Sequence, residues 1–376
     1  MQNVLITGGA GFIGSNLALA LLKKGYQVTV LDNLSPQIHG DATNSQLYLS
    51  IKDKVKFIEG DVCKEADWKR ALDKQDIVVH LAAETGTGQS MYQVKKYTDV
   101  NINGTAILLD LLTNSTHQVK KLIIASSRAI YGEGKYQSPT HGIVYPTHRQ
   151  ESDMLNGDFE VKCPFSGENA QVLATDEESK IHPSSIYGIT KQNQEQMCMV
   201  TGKSLGLPVV AFRYQNVYGP GQSLKNPYTG ILSIFSTRIL NHNDIQIFED
   251  GTESRDFVFI DDVVDATISG IEKDEANYQA FNVGTGVSTS VSTVAQTLKS
   301  LYEADVEIKI SGGFRLGDIR HNYADLSKIQ QHLGFKPQFN FEQGITQFVN
   351  WVKTQNVEAD NFDKSIQEMK AKGLYK

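Results

Sequence analysis

Short, continuous apolar runs alternate along the chain with longer stretches of helical periodicity. Val4-Leu5-Ile6 ends at Gly8, a helical pattern runs from about Phe12 to Lys24 with Gly25 placed to stop it, and Gln27–Leu31 forms a second run ending at Asp32. Strand, helix and strand within about 30 residues make a βαβ unit. The alternation continues through Val55–Ile58, Ile77–Leu81, a helical stretch Val100–Leu112, Leu122–Ala125 and Val209–Phe212. Runs that are apolar at every position suit strands buried on both faces. The pattern predicts an α/β protein built on a doubly wound parallel sheet.

Two regions break this rhythm. Residues 133–183 carry Gly, Pro, Ser and His with little periodicity and read as a long insertion lying over the fold. From about residue 219 the segments shorten and turn residues multiply, which predicts a smaller, partly discontinuous second region. The expected division is a dinucleotide-binding domain over 1–218 and a mainly substrate-binding region over 219–376. Within the latter, about 255–290 returns to the main domain, with Phe281-Asn282-Val283-Gly284 as a late strand. The polar, charged stretch after Val357 reads as a surface helix or a frayed tail.

Composition narrows the class. The 376 residues are 40% hydrophobic and 21% charged, as in ordinary globular proteins. A net charge of −7 gives no global reason to bind nucleic acid. Cys63, Cys163 and Cys198 are too few and too scattered for a disulfide framework. No run approaches the roughly 20 apolar residues that span a bilayer, and the start of the chain lacks a basic leader with a cleavage site. The expectation is a cytoplasmic protein with no membrane partner.

The first turn reads Gly8-Gly9-Ala10-Gly11-Phe12-Ile13-Gly14. Glycines 8, 11 and 14 allow a tight turn and a close approach of backbone N–H groups to a pyrophosphate at a helix N-terminus. Asp32, at the end of the second strand and followed by Asn33, suits the ribose hydroxyls of an adenosine and repels a 2′-phosphate, favouring NAD over NADP. The alternative for Asp32-Asn33 is a plain turn. Asp61 and Val62 follow the third strand and Leu81, Ala82 and Ala83 the fourth, at the edge where such sheets bind ligands. There Asp61 is placed to meet the adenine amino group.

Tyr187 and Lys191 stand four residues apart, on one face of a predicted helix. A phenol is too weak an acid to serve as an anionic base near neutrality unless a cation supports it, and an ammonium on the same face does so. That spacing also arises by chance. A second feature strengthens it: Ser126-Ser127-Arg128-Ala129-Ile130-Tyr131-Gly132 directly follows the fifth apolar run, where the nicotinamide end is expected. Ser127 can hydrogen-bond the substrate oxygen that loses its proton.

Together with the amino-terminal glycines, these residues resemble the extended short-chain dehydrogenase/reductase superfamily, with its Rossmann-type fold. Further matches are Asn216-Val217-Tyr218-Gly219-Pro220, Arg255-Asp256-Phe257-Val258 and Gly317-Asp318. The resemblance implies that Tyr187 is the base and that Lys191 holds the nicotinamide ribose and tunes Tyr187. Ser127 is then the third catalytic group, and Asn101 supports the active-site helix beside the cofactor. Arg255 and Arg315 bind a nucleotide-sugar pyrophosphate, a role suited to the guanidinium fork; Arg320 is a weaker candidate. It also implies a homodimer that pairs the helix of Asn101 with that of Tyr187.

Dehydratases of this superfamily carry an acidic pair just after the catalytic Ser or Thr, and decarboxylases a Glu in the same segment; here Arg128-Ala129 stands there. The resemblance therefore implies a 4-epimerase. Three stretches, Asp32–Gly40, Ala83–Met91 and Ser126–Gly134, resemble those of dTDP-L-rhamnose 4-epimerases. UDP-hexose 4-epimerases and CDP-sugar 2-epimerases share the remaining motifs, and a non-catalytic NAD sensor shares the fold. Thr85, Gln89, Ser90 and Arg128 are expected at the hexose, or else as a polar loop capping the next helix. Relatives often carry Cys-Pro-x-Cys in the insertion, but Cys163-Pro164-Phe165-Ser166 lacks the second cysteine, so no metal is expected.

Overall fold

The computed structural model describes residues 2–226, 228 and 230–376. Seven parallel strands form the main sheet: β1 (Asn3–Thr7), β2 (Gln27–Asp32), β3 (Lys56–Glu59), β4 (Ile77–His80), β5 (Lys121–Ser127), β6 (Val209–Tyr214) and β7 (Gln279–Val283). Their order is β7-β6-β5-β4-β1-β2-β3, a Rossmann-type doubly wound sheet. Leu5 pairs with Thr29 on one side and Val78 on the other. The strand order reverses there, which opens a crevice at the carboxyl ends of β1 and β4.

The apolar runs bury both faces because successive side chains point to opposite sides. Val4, Ile6, Val79, Ile123 and Val210 enter one core with helices α1 (Phe12–Lys23) and α4 (Ile260–Glu272). Leu5, Val78, Leu122, Ile124 and Val209 enter the other, with α2 (Gly104–Asn114) and α3 (Ile186–Leu205). The helical stretch expected from Val100 begins instead with a π-wound turn over Thr98–Asn103.

The second lobe is made of short pairings. Ile245–Ile247 runs parallel to Ile308–Ile310, and Ser254–Arg255 lies between Thr289–Ser290 and His321–Asn322. Residues 133–183 are not featureless. Tyr136–Ser138 pairs with Gly142–Val144 and Gln171–Val172, over a small core of Tyr136, Val144, Val161, Cys163 and Ala170. Strands of two or three residues are too short to show an alternation in sequence.

The stretch after Val357, expected as a surface helix or a frayed tail, is a helix with one face packed and the other exposed. Helix α5 (Phe362–Ala371) buries Phe362, Ile366 and Met369, and the chain end exchanges backbone hydrogen bonds between Phe314 and Lys376 (3.1 and 3.0 Å). Its apolar residues recur at i, i+4 and i+7, one face of a helix. Among the described residues, no helix is long and apolar enough to cross a membrane.

Candidate active site

A cavity of about 550 Å³ runs from the first turn, along the carboxyl ends of the strands, to the second lobe. At one end lie Gly8, Gly11, Phe12, Ile13 and Gly14. Gly8 has φ +66°, and a Cβ there would stand 2.8 Å from Ala82 N. A Cβ on Gly14 would collide with Gly8 O and stand 2.6 Å from Gly9 Cα, so glycine is required where α1 crosses the turn. Gly11 caps α1 without a side-chain bond. The first-turn N–H groups therefore remain available to an anion.

Asp32 and Asn33 line the same end. The Asp32 carboxylate accepts the N–H of Ala10 (3.0 Å) and of Leu34 (2.9 Å), and His39 Nε2 stands 3.7 Å from Oδ1. Burial pushes the Asp32 carboxyl up and the His39 imidazole down. Val62, Leu81, Ala82 and Ala83 complete the floor.

Ser126 and Ser127 end β5 and face the cavity. Ser126 Oγ donates to Glu195 (2.5 Å), while Ser127 Oγ accepts the N–H of Ala129 (3.1 Å). Tyr187 sits in the first turn of α3, which Ser185 caps through Gly188 N–H (3.1 Å). Tyr187 and Ser127 line the same stretch of the cavity; burial raises the phenol's pKa, and Ser127 and the Arg128 charge pull it back. Lys191 follows one turn later. Its ammonium donates to Ala125 O (2.8 Å) and Gln194 Oε1 (2.9 Å), leaving a third donor for the cavity that it lines. Burial pushes it down to about 7.

Beneath these groups runs a buried polar chain that the sequence reading missed. Gln194 Nε2 donates to Thr105 Oγ1 (2.8 Å), and Thr105 donates to Asn101 O (2.6 Å). Thr105 thus accepts from His80 Nε2 (3.0 Å), so His80 Nδ1 accepts from Thr7 (2.7 Å), which takes the N–H of Ala82 (3.2 Å). Burial holds His80 neutral, down to about 3. The chain ties Lys191 to the floor at Ala82.

At the far end, three arginines surround one carboxylate. Asp318 accepts from Arg255 (3.2 Å) and from Arg315. Arg255 also donates to the carbonyls of Ser254, Arg320 and Ile319 (2.6–2.9 Å). Arg128 lines the cavity and has no hydrogen-bond partner among the described residues. Burial and the neighbouring Arg255 push it down to about 10. Against burial, Arg315, Arg255 and Arg128 hold the Asp318 carboxyl well below the usual range. Three guanidinium charges around one carboxylate leave a net positive pocket suited to a diphosphate. Arg320 does not line the cavity; it bonds Glu160, Glu249 and Asp250. Thr85 and Asn216 also line the cavity.

Four expected contacts are not brought to the wall. Gln89 is buried, its amide paired with Gln37 (2.9 Å). Ser90 Oγ accepts the N–H of Tyr187 (3.0 Å), satisfying an unpaired donor at the start of α3. Asp61 bonds its own turn through Cys63 N–H (2.9 Å). Asn101 binds both backbone groups of Glu84 (2.8 and 3.1 Å) and Thr190 Oγ1 (2.9 Å), stapling the loop after β4 to α3. Phe248, Phe362, Ile366 and Met369 were missed as lining residues; for the last three, the helical spacing was the available signal.

The chain matches the NAD-dependent epimerase/dehydratase family over residues 4–151 and 163–284. It is 36% identical to a dTDP-L-rhamnose 4-epimerase of Burkholderia thailandensis over 353 residues, 93% of this chain and 95% of the relative. It resembles the structure of a UDP-glucose 4-epimerase of Thermotoga maritima bound to UDP-glucose, with TM-score 0.75, 31% identity and coverage of 94% and 99% of the two chains. A UDP-glucuronic acid 4-epimerase of Bacillus cereus, with UDP-glucuronic acid and NAD, superposes with TM-score 0.76 at 26% identity, over 94% and 99%. A match that runs from the first sheet strand through the seventh, in a fold shared along nearly the whole chain, makes this protein a member of the NAD-dependent epimerase/dehydratase family.

Proposed function

We propose that the protein is an NAD-dependent nucleotide-sugar 4-epimerase that interconverts dTDP-L-rhamnose and dTDP-6-deoxy-L-talose through a transient 4-keto sugar. One observation carries the reading: a single cavity joins the glycine turn, the Ser127–Tyr187–Lys191 group and the arginines around Asp318. The residues fit the cofactor, because the start of α1 carries no side-chain cap on its first-turn N–H groups, and Gly8 and Gly14, where a Cβ would collide with backbone, let the turn close tightly around them. In this reading the glycine turn takes the pyrophosphate, Asp32 the adenosine ribose and Lys191 the nicotinamide ribose. When bound, NAD supplies a reversible hydride acceptor for the sugar carbon.

The chain's own groups handle the proton. Tyr187, supported as phenolate by the Lys191 ammonium and by Ser127, takes the proton from the 4-hydroxyl and later returns it. Arg255 and Arg315 hold the diphosphate while the hexose turns to present its other face. Elimination of water would need a further acid and base just after Ser127, where Arg128 and Ala129 stand. The dTDP-linked sugar is favoured by the Burkholderia relative and by the stretches Asp32–Gly40, Ala83–Met91 and Ser126–Gly134. Two copies pair through α2 and α3; Ile189 and Val200 expose apolar surface on α3.

The test is an NMR time course with dTDP-L-rhamnose and no added cofactor. Signals of dTDP-6-deoxy-L-talose are expected. Turnover of UDP-hexoses alone would move the assignment to a UDP-hexose 4-epimerase. No turnover and no bound NAD would overturn it.

A further inference from the structure

No residue of 133–183 lines the cavity, yet the insertion reaches the back of the arginine group. Arg149, whose side chain is 4% exposed, forks onto Glu249, donating to Oε1 (2.7 Å) and Oε2 (2.9 Å), the latter oxygen also accepting from Arg320 (2.8 Å). The same guanidinium donates to the backbone carbonyl of Asp318 (3.2 Å) and lies 3.4 Å from Glu133. We propose that the insertion is a brace for the diphosphate site and that Arg149 is the positioning residue through which it acts. The proposal rests on the reading above, in which Arg255 and Arg315 take the diphosphate.

Both arms of the site meet Arg149 from behind. Asp318 turns its side chain forward to Arg255 and Arg315, while its main chain is held by Arg149. Glu249 has φ +49°, a left-handed backbone uncommon outside glycine. Its N–H donates to Gly313 O (2.8 Å), and its carbonyl accepts from Gly312 N–H (3.2 Å). Those glycines lead directly into Arg315. Fixing Glu249 thus fixes the turn that carries Arg315.

A buried ion pair is a poor source of net stability, but a planar fork is a strong geometric constraint. One guanidinium that bonds Glu249 twice and Asp318 once sets the spacing between the two arms. The Arg149–Glu249 pair spans 100 residues of sequence. Lysine, with a point charge on a flexible stem, would keep the charge and lose the spacing.

The test uses the NAD-loaded, full-length protein and calorimetric titration with dTDP and with UDP. Arg149→Lys is expected to weaken both by about tenfold or more, and to raise KM for the nucleotide sugar while leaving kcat within about threefold and bound NAD unchanged. Arg255→Met, which removes a direct contact, serves as the control for the underlying reading. Wild-type affinity in Arg149→Lys beside a large loss in Arg255→Met would overturn the brace alone. Unchanged affinity in both would remove the diphosphate reading and the brace with it. Loss of NAD together with nucleotide affinity would make Arg149 a merely structural residue. If Arg149→Lys does not fold, the charge-balanced pair Arg149→Gln with Glu249→Gln is the check: the same loss supports the brace, and wild-type affinity refutes it.

Discussion

The two walls of the cavity are built by opposite means. The dinucleotide wall comes from positions that immediately follow sheet strands: Gly8 after β1, Asp32 at the end of β2, Ala82 after β4 and Ser127 at the end of β5. Each is placed by the strand before it, over a few residues of chain. The opposite wall gathers Phe248, Arg255, Arg315, Asp318 and Phe362, of which only Arg255 stands in a strand, one of two residues. It is held instead by charges and rings that meet across long stretches of sequence: Arg149 on Glu249, Arg315 over the Phe248 ring at 5.1 Å, and Phe248 stacked on Phe362 at 6.0 Å.

If the walls are separable, substitutions should split cofactor retention from sugar binding. The largest effect is expected for Tyr187→Phe, which removes the proton acceptor and leaves the ring, Lys191 and the glycine turn in place beside the cofactor. Its kcat should fall about 10³-fold, within the range for a general base, with bound NAD per chain unchanged. A variant with near-normal turnover removes Tyr187 as the base.

Next in size is a pH effect beneath the first wall. Burial moves His80 from 6.5 down to about 3, so the folded protein keeps it neutral where the unfolded chain would protonate it. The stability this contributes is fully present above pH 6.5 and is lost as pH falls toward 3. Between pH 7 and 5 the loss is about 2 kcal/mol. Urea midpoints of wild type and His80→Asn, taken at both pH values, should show that much extra acid sensitivity in wild type; equal losses contradict it.

The smallest effect belongs to the far wall. Phe362→Leu keeps an apolar side chain but loses the ring against Phe248 and Arg238, and about a threefold rise in KM with unchanged NAD content is expected. A loss of NAD would mean that the two walls are not independent.

This contrast also explains what the sequence made legible. The seven strands and the glycine turn could be read because their determinants are local: apolar runs, and glycines where a Cβ meets backbone. Tyr187 and Lys191 were readable because one helical turn joins them. Ser90 was misplaced at the sugar because nothing in its neighbourhood shows that α3 has an unsatisfied N–H for it to accept. Gln89 was misplaced for a similar reason, its partner Gln37 lying 52 residues away. The Phe362-Ile366-Met369 face carried a readable spacing that its charged surroundings masked. Arg149 carried no local signal, since its partners Glu249 and Asp318 come from another lobe.

The central claim is that the sugar carbon gives up its hydrogen and receives the same hydrogen back, with Tyr187 moving only the proton on oxygen. Running the reaction in D2O and following the C4 position of dTDP-6-deoxy-L-talose by NMR tests it most directly. The account predicts that C4 keeps its protium through many turnovers. Deuterium appearing at C4 at the rate of product formation would mean exchange of a carbon-bound hydrogen with solvent, and would contradict it.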